Sequence, residues 1–219
     1  ILMQSKICGI KDPKTLKYLI NHKNPPNFIG FISNYPKSKR FINLKILKKL
    51  TSVKKRNVNY VCVLVKPKIE FLEKIKYLNF DYYQLYKVDP KQTLKIKKKY
   101  NKKIITAITV KKKIDIYQYK KYLKISDIIL FDGKGYEKSV GFNHAYLRNL
   151  YCPVKKMLAG NIKFNSKLDK FIKITDIIDL SGSLETSDKK DITKIDFFLK
   201  NIKKLNDKNK KKNSINRSA

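Results

Sequence analysis

Histidine and cysteine are scarce in this chain of 219 residues. Two histidines, His22 and His144, are too few for a histidine-rich metal site. Cys8, Cys62 and Cys152 are an odd number of thiols, with neither a CxxC pair nor a Cys/His ligand spacing. A reduced, cytoplasmic setting is the default reading. No apolar run reaches the ~18 residues that a membrane-spanning helix needs. Residues Ile1 to Ile10 lead straight into a strand-like segment and do not read as a signal peptide.

Arginine and acid are scarce as well. Arginine occurs only at Arg40, Arg56, Arg148 and Arg217, and 17 Asp plus Glu face 52 Lys plus Arg, a net charge of +35. Such charge suggests nucleic acid or an anionic surface as partner. Guanidinium groups, however, are the preferred bidentate readers of phosphate and guanine, and here nearly all the charge is lysine. The lysines are spread along the whole length with an excess of Ile, Asn and Tyr, which reads as a bias of surface composition. No nucleic-acid or membrane partner is expected. The field still draws in anionic substrates.

Against this background stand eight short, β-branched apolar runs. They are Lys6–Ile10, Phe28–Ile32, Tyr60–Val65, Tyr82–Tyr86, Ile104–Val110, Ile128–Asp132, Lys156–Gly160 and Ile177–Ser181. Each is nearly continuous in apolar character, as parallel strands covered on both faces are. The intervals are lysine-rich with helical spacing, as in the stripe Phe71, Ile75, Leu78 and a second of Ile114, Tyr117, Tyr122 and Leu123. Strand centres recur about every 20 to 30 residues, which fits a β-loop-α-loop unit. Eight units leave little room for a second domain, so the expected fold is α/β, a single-domain (βα)8 TIM barrel over residues 1–204. An open doubly wound sheet is the alternative. Leu205 to Ala219 is Lys/Asn/Ser-rich and is read as a basic, disordered tail.

The seven glycines, Gly9, Gly30, Gly133, Gly135, Gly141, Gly160 and Gly182, all fall in the second half of a strand or the loop after it. That edge carries the active site in parallel α/β folds. Cys8 ends strand one, and Asp132 ends strand six behind four apolar residues. Ala159-Gly-Asn161 and Ser181-Gly-Ser183 end strands seven and eight, where many barrels hold a phosphate on backbone N–H groups. Cys62, inside its strand, reads as core, and Cys152 as a loop thiol.

Together these segments resemble phosphoribosylanthranilate isomerases of tryptophan biosynthesis. Lys6-Ile-Cys-Gly-Ile10 is similar to the family's opening K-I-C-G, and Gly30-Phe-Ile32 with Ser38-Lys-Arg40 to its G-F and S-P-R. Val61–Val65 resembles V-G-V-F-V, Gln84-Leu85 the start of Q-L-H-G, and Phe131-Asp132 its L-D, with Gly141-Phe-Asn143 near F-D-W. Leu158-Ala-Gly160 resembles L-A-G-G, Asp179–Glu185 the D-V-S-S-G-V-E segment, and Lys190-Asp191 with Lys194-Ile195 the closing K-D and K-I. The departures fall on loops. Lys39 replaces proline, Tyr86-Lys87 replace His-Gly, Asn161 replaces the second glycine, Gly182 and Ser183 are exchanged, and the glycine-rich stretch is mostly absent at 136–140.

The resemblance implies an Amadori rearrangement of N-(5′-phosphoribosyl)anthranilate without metal or cofactor. It implies Asp132 as general acid and Cys8 as general base, with nearby cations favouring the thiolate. Arg40 would hold the anthranilate carboxylate and Asp179 the sugar or amine. Gly160, Asn161, Gly182 and Ser183 would hold the phosphate. A monomer is expected and a dimer allowed. The nearest alternative is a related histidine-pathway or dual-substrate isomerase, which uses paired aspartates where strand one here offers Cys8. A basic nucleic-acid-binding protein and a barrel that has lost its chemistry are the others.

Overall fold

The structure, a computed structural model, describes residues 2–133, 136 and 140–215. Eight parallel strands close into one barrel in sequence order. They are β1 (Gln4–Cys8), β2 (Phe28–Ile32), β3 (Asn59–Val65), β4 (Tyr82–Tyr86), β5 (Lys103–Thr109), β6 (Ile128–Asp132), β7 (Lys155–Leu158) and β8 (Ile177–Leu180). β1 pairs with β2 on one side and with β8 on the other, bringing Cys8 level with Gly30 and Lys6 level with Asp179. This is the single-domain barrel and not the open sheet. Among the described residues no helix is long and apolar enough to cross a membrane.

Side chains alternate across each strand. Ile7, Ile29, Tyr60, Cys62, Ile104 and Ile129 point outward and pack under the connecting segments. Cys8, Val61, Val63, Ile105, Leu130 and Met157 point into the barrel. The outward position of Cys62 makes it core, as read, and keeps it out of the barrel interior.

Four of the connections are α-helices, α1 (Pro13–Asn21), α2 (Leu44–Thr51), α3 (Ile69–Ile75) and α4 (Pro90–Tyr100), and a fifth helix, α5 (Ile192–Ile215), follows the last strand. Local chemistry starts them. Asp12 accepts from the Thr15 amide ahead of Pro13, Asn43 from that of Ile46, and Asp89 from that of Gln92 ahead of Pro90. Asn101, at φ +49°, ends α4 in the left-handed conformation that asparagine tolerates.

Two expectations are corrected here. After β5 the chain forms a 3-10 helix, Lys113–Tyr122, not an α-helix. Its three-residue period turns Ile116, Tyr119 and Tyr122 to the core and leaves Ile114 and Tyr117 exposed. Of the stripe drawn at α spacing, Tyr122 and Leu123 pack against the core while Ile114 and Tyr117 face solvent. Single 3-10 turns, His144–Leu147 and Leu168–Phe171, lie after β6 and β7. At the other end, α5 does not stop at 204. Leu205 is buried, and Asn206 exchanges hydrogen bonds with the Met3 amide (2.8 Å) and carbonyl (2.9 Å), docking the helix beside β1. Residues 216–219 of the expected tail, and Gly135, lie outside the described residues.

Candidate active site

The C-terminal ends of the strands open onto a cavity of about 590 Å³. Cys8, Arg40, Asp132, Gly160, Asn161, Asp179, Gly182 and Ser183 all line it. Residues 171 positions apart in sequence thus share one wall because β1 and β8 are neighbours in the closed sheet.

The thiol side is built on glycine. Gly9, at φ +79°, turns the chain out of β1, and its amide and that of Ile10 both donate to the Gly30 carbonyl. A side chain on Gly30 would place its Cβ 2.6 Å from the Cys8 sulfur, and one on Gly9 would lie 2.4 Å from Arg40 Cδ. Burial pushes the Cys8 thiol above its ordinary value. Lys6 pulls it back, Asp179 adds to the rise and Lys190 opposes it. Neighbouring cations do favour the thiolate, as expected, but burial outweighs them and the resting group is a thiol.

The carboxyl side sits three strands away round the barrel. Asp132 is 1 % exposed and accepts the Tyr86 hydroxyl on Oδ2 at 2.7 Å. Gln84 Nε2 donates to that hydroxyl oxygen at 3.3 Å. Burial and the adjacent Asp132 hold Tyr86 well above the usual phenol value, so it remains a donor. Tyr136 leans over Tyr86 with ring centroids 4.7 Å apart, and Tyr35 meets its edge at 5.2 Å.

At the mouth, β9 (Glu185–Thr186) and β10 (Lys189–Lys190) form a short hairpin. Arg40 grips Glu185 with two bonds, Nε to Oε1 at 2.7 Å and Nη2 to Oε2 at 2.8 Å. Lys190 reaches the same carboxylate at 2.6 Å and the Ser181 carbonyl at 3.1 Å. Burial pushes the Glu185 carboxyl up, but Arg40 and Lys190 overcome it and hold it at about 2. Two of the five guanidinium N–H groups of Arg40 are therefore committed within the protein before any ligand arrives.

Beyond β7 the backbone turns sharply. Gly160 and Asn161 take φ of +95° and +53°. His144 Nε2 lies 3.0 Å from the Gly160 carbonyl, and burial keeps that imidazole below its ordinary value, hence neutral. Ser181 Oγ donates to the Cys8 carbonyl at 2.9 Å, tying the β8 loop to the thiol strand. Ser183 Oγ, Gln84 Oε1 and Asp179 Oδ1 are buried and have no hydrogen-bond partner among the described residues.

The family profile described as N-(5′-phosphoribosyl)anthranilate (PRA) isomerase matches residues 5–201. The N-(5′-phosphoribosyl)anthranilate isomerase of Rhizobium johnstonii is 30 % identical over 212 residues, covering 92 % of this chain and 94 % of its own. The chain belongs to the N-(5′-phosphoribosyl)anthranilate isomerase family. The isomerase of Agrobacterium fabrum is 29 % identical over 204 residues, 88 % of this chain and 91 % of that one. Among solved structures, the Thermotoga maritima isomerase superposes with a TM-score of 0.80 at 24 % identity, covering 92 % of this chain and 99 % of that one. An isomerase solved in complex with reduced 1-(o-carboxyphenylamino)-1-deoxyribulose 5-phosphate gives 0.77 at 23 %, with the same coverage. At these identities the structural likeness is one of fold.

Against the isomerase pattern, Asn161 in place of glycine has a physical reason. At φ +53° asparagine is the residue that tolerates the left-handed region best after glycine. Sequence reasoning missed Gln84, Tyr86 and Glu185 in the cavity wall, and Lys6 and Lys190 behind it on Asp179 and Glu185, although each lies in a quoted segment. The available signal was strand parity. Lys6 stands two residues before Cys8, and Gln84 two before Tyr86, hence on the same inward face.

Proposed function

We propose that this chain converts N-(5′-phosphoribosyl)anthranilate to 1-(o-carboxyphenylamino)-1-deoxyribulose 5-phosphate by acid–base catalysis. The observation that carries the reading is the pairing of a buried thiol, Cys8, and a buried carboxyl, Asp132, on the wall of one cavity at the catalytic edge of the barrel. Asp132 gives its proton to the ribose ring oxygen, the C1′–O bond breaks, and the nitrogen lone pair forms the C1′=N bond. Cys8, as thiolate, then takes the C2′ proton, and the C–H electron pair becomes the C1′=C2′ bond of the enol-amine. Ketonisation returns both groups: C1′ regains the proton held by the thiol, and the C2′ hydroxyl proton restores the carboxyl.

Gly160, Asn161, Gly182 and Ser183 hold the phosphate, supported by their positions beyond β7 and β8 and by the unsatisfied Ser183 hydroxyl. Asp179 faces the sugar. Arg40 takes the anthranilate carboxylate with the N–H groups that Glu185 leaves unused. Such a site needs no cofactor. Every proposed group comes from one chain, which supports a monomer, and a reducing cytoplasm keeps Cys8 a thiol.

The test is the loss of phosphoribosylanthranilate fluorescence, with substrate generated in situ, for wild type beside Cys8→Ala and Asp132→Asn. Wild type accelerates the loss beyond spontaneous decay, and each variant loses about 10²- to 10⁴-fold in kcat with an unchanged circular dichroism spectrum. No acceleration by folded wild type overturns the reading, and near-normal turnover in both variants overturns the roles.

A further inference from the structure

The barrel interior holds a buried cation to which the reaction above gives no part. Lys6 is fully buried, and its ammonium lies 2.6 Å from Oδ2 of Asp179, its register partner on β8. Lysine is almost never buried to this extent without a partner. Even with one, the desolvation of two charges offsets most of their attraction, and an apolar pair of similar volume serves stability as well or better. The neighbouring inward positions Val61, Ile105, Leu130 and Met157 are filled in that way. Stability alone gives no reason for charge in this layer.

Position gives one. Cys8 is the next inward side chain along β1, and the positive charge of Lys6 favours its thiolate. The other groups bearing on that sulfur come from four separate elements. Asp179 on β8 opposes the thiolate and Lys190 on β10 favours it. Arg40, after β2, and Tyr86, on β4, also feel the charge of Cys8. Asp132, on β6, acts on Asp179. Arg40 and Lys190 share Glu185 at the cavity mouth. Tyr86 is a neutral donor engaged with Asp132. Lys6, two residues back along the same strand, is the largest of the influences that favour the thiolate, and Asp179 holds its ammonium in place.

We infer that Lys6 is the positioning residue of the Cys8 base: its ammonium, anchored by Asp179, is the buried counter-charge against which the thiolate forms. The inference rests on Cys8 as the base of the proposed reaction. Lys6 keeps its three protons throughout. As the S–H bond forms and the C2′–H bond breaks, the sulfur becomes neutral and the ammonium turns fully to Asp179. When the thiol passes its proton to C1′, the ammonium again faces a thiolate.

The two members of the pair act on Cys8 with opposite sign, and that supplies the test. The full chain, as Cys152→Ser, is alkylated with iodoacetamide across a range of pH, and modification of Cys8 is followed by mass spectrometry of its peptide. Cys62 is fully buried and does not compete. Lys6→Met moves the alkylation midpoint to higher pH and lowers the rate at pH 8 by about ten- to a hundredfold, the effect of removing one adjacent opposite charge. Asp179→Asn, which removes the opposing carboxylate, moves the midpoint to lower pH and raises the rate. General loosening of the barrel would speed both. Midpoints that move in the same direction, or a folded Lys6→Met with the wild-type midpoint, overturn the inference. Should Lys6→Met fail to fold, a midpoint in Asp179→Asn at or above that of wild type overturns it alone. Turnover plays no part in this readout. Absent turnover with opposed midpoints sinks the isomerase reading and leaves the pairing of Lys6 with Cys8 standing.

Discussion

Removing the Glu185 carboxylate by Glu185→Gln isolates the ion network at the cavity mouth. In the native protein this carboxyl, ordinarily near 4.5, is held at about 2 by Arg40 and Lys190 against burial. At ~1.4 kcal/mol per pKa unit the depression corresponds to roughly 3 kcal/mol of stability. Solvent screening at the mouth reduces this to about 2 kcal/mol. The variant also strands Arg40 and Lys190, whose side chains are only 8 % and 3 % exposed, and breaking buried pairs in this way typically costs ~3–5 kcal/mol. A loss of about 3 kcal/mol at pH 7 follows, or a fall in Tm of roughly 6–12 °C for a domain of this size. Urea denaturation of both proteins from pH 7 to pH 2.5 is the assay. A depressed carboxyl contributes fully above its unfolded value and is lost as pH falls from 4.5 towards 2. Protonated Glu185 is neutral like glutamine, so the two stabilities converge over that window. A gap under 1 kcal/mol at pH 7, or one that stays constant on acidification, refutes the reasoning.

Three further outcomes follow from the same geometry. Tyr86→Phe removes the donor to Asp132 Oδ2 and lowers kcat by about 10- to 100-fold with little change in KM, a hydrogen bond to a charged group being worth ~1.5–3 kcal/mol; steady-state kinetics in which only KM moves would refute this. Because burial raises the Cys8 thiol and the base acts as thiolate, kcat/KM climbs with pH through a limb on the alkaline side of 9.0, and a limb centred near neutrality excludes this thiol as the titrating base. Gly30→Ala drives a methyl group to 2.6 Å from the Cys8 sulfur and cuts kcat at least about tenfold while the far-ultraviolet spectrum stays native; unaltered kcat would show that the thiol has room to move.

The legible parts of this sequence are those where one physical rule dominates. Phe28–Ile32, Tyr82–Tyr86 and Ile128–Asp132 match their strands residue for residue, because every position of each is buried and no exposed residue blurs the ends. The first strand begins two residues earlier than its apolar run and stops at Gly9, where positive φ ends it and not hydropathy. The connection after β5 is misread because α and 3-10 periods differ by little over one turn, and only Ile116 and Tyr119 reveal which applies. Leu205 onward is misread because polarity was weighed without Asn206, whose partners lie at the other end of the chain. All eight candidate site residues reach one cavity, since strand ends converge in any closed barrel. Lys6 and Lys190 were hidden by composition, one lysine looking like another until topology supplies its partner.

The three 3-10 connections give the barrel wall an asymmetry. A residue in a 3-10 helix advances ~2.0 Å against ~1.5 Å in an α-helix, so ten residues bridge about 20 Å in place of 15. The chain thereby returns from the top of β5 to the foot of β6 with fewer residues, at the expense of well-aligned hydrogen bonds. The sector behind β5, β6 and β7, which carries Asp132 and Gly160, is thinly clad, while α1 and α5 sheathe the sector of Cys8. Amide exchange should enter this molecule from the side of Asp132 and Gly160, so that breathing of the wall reaches the carboxyl before the thiol.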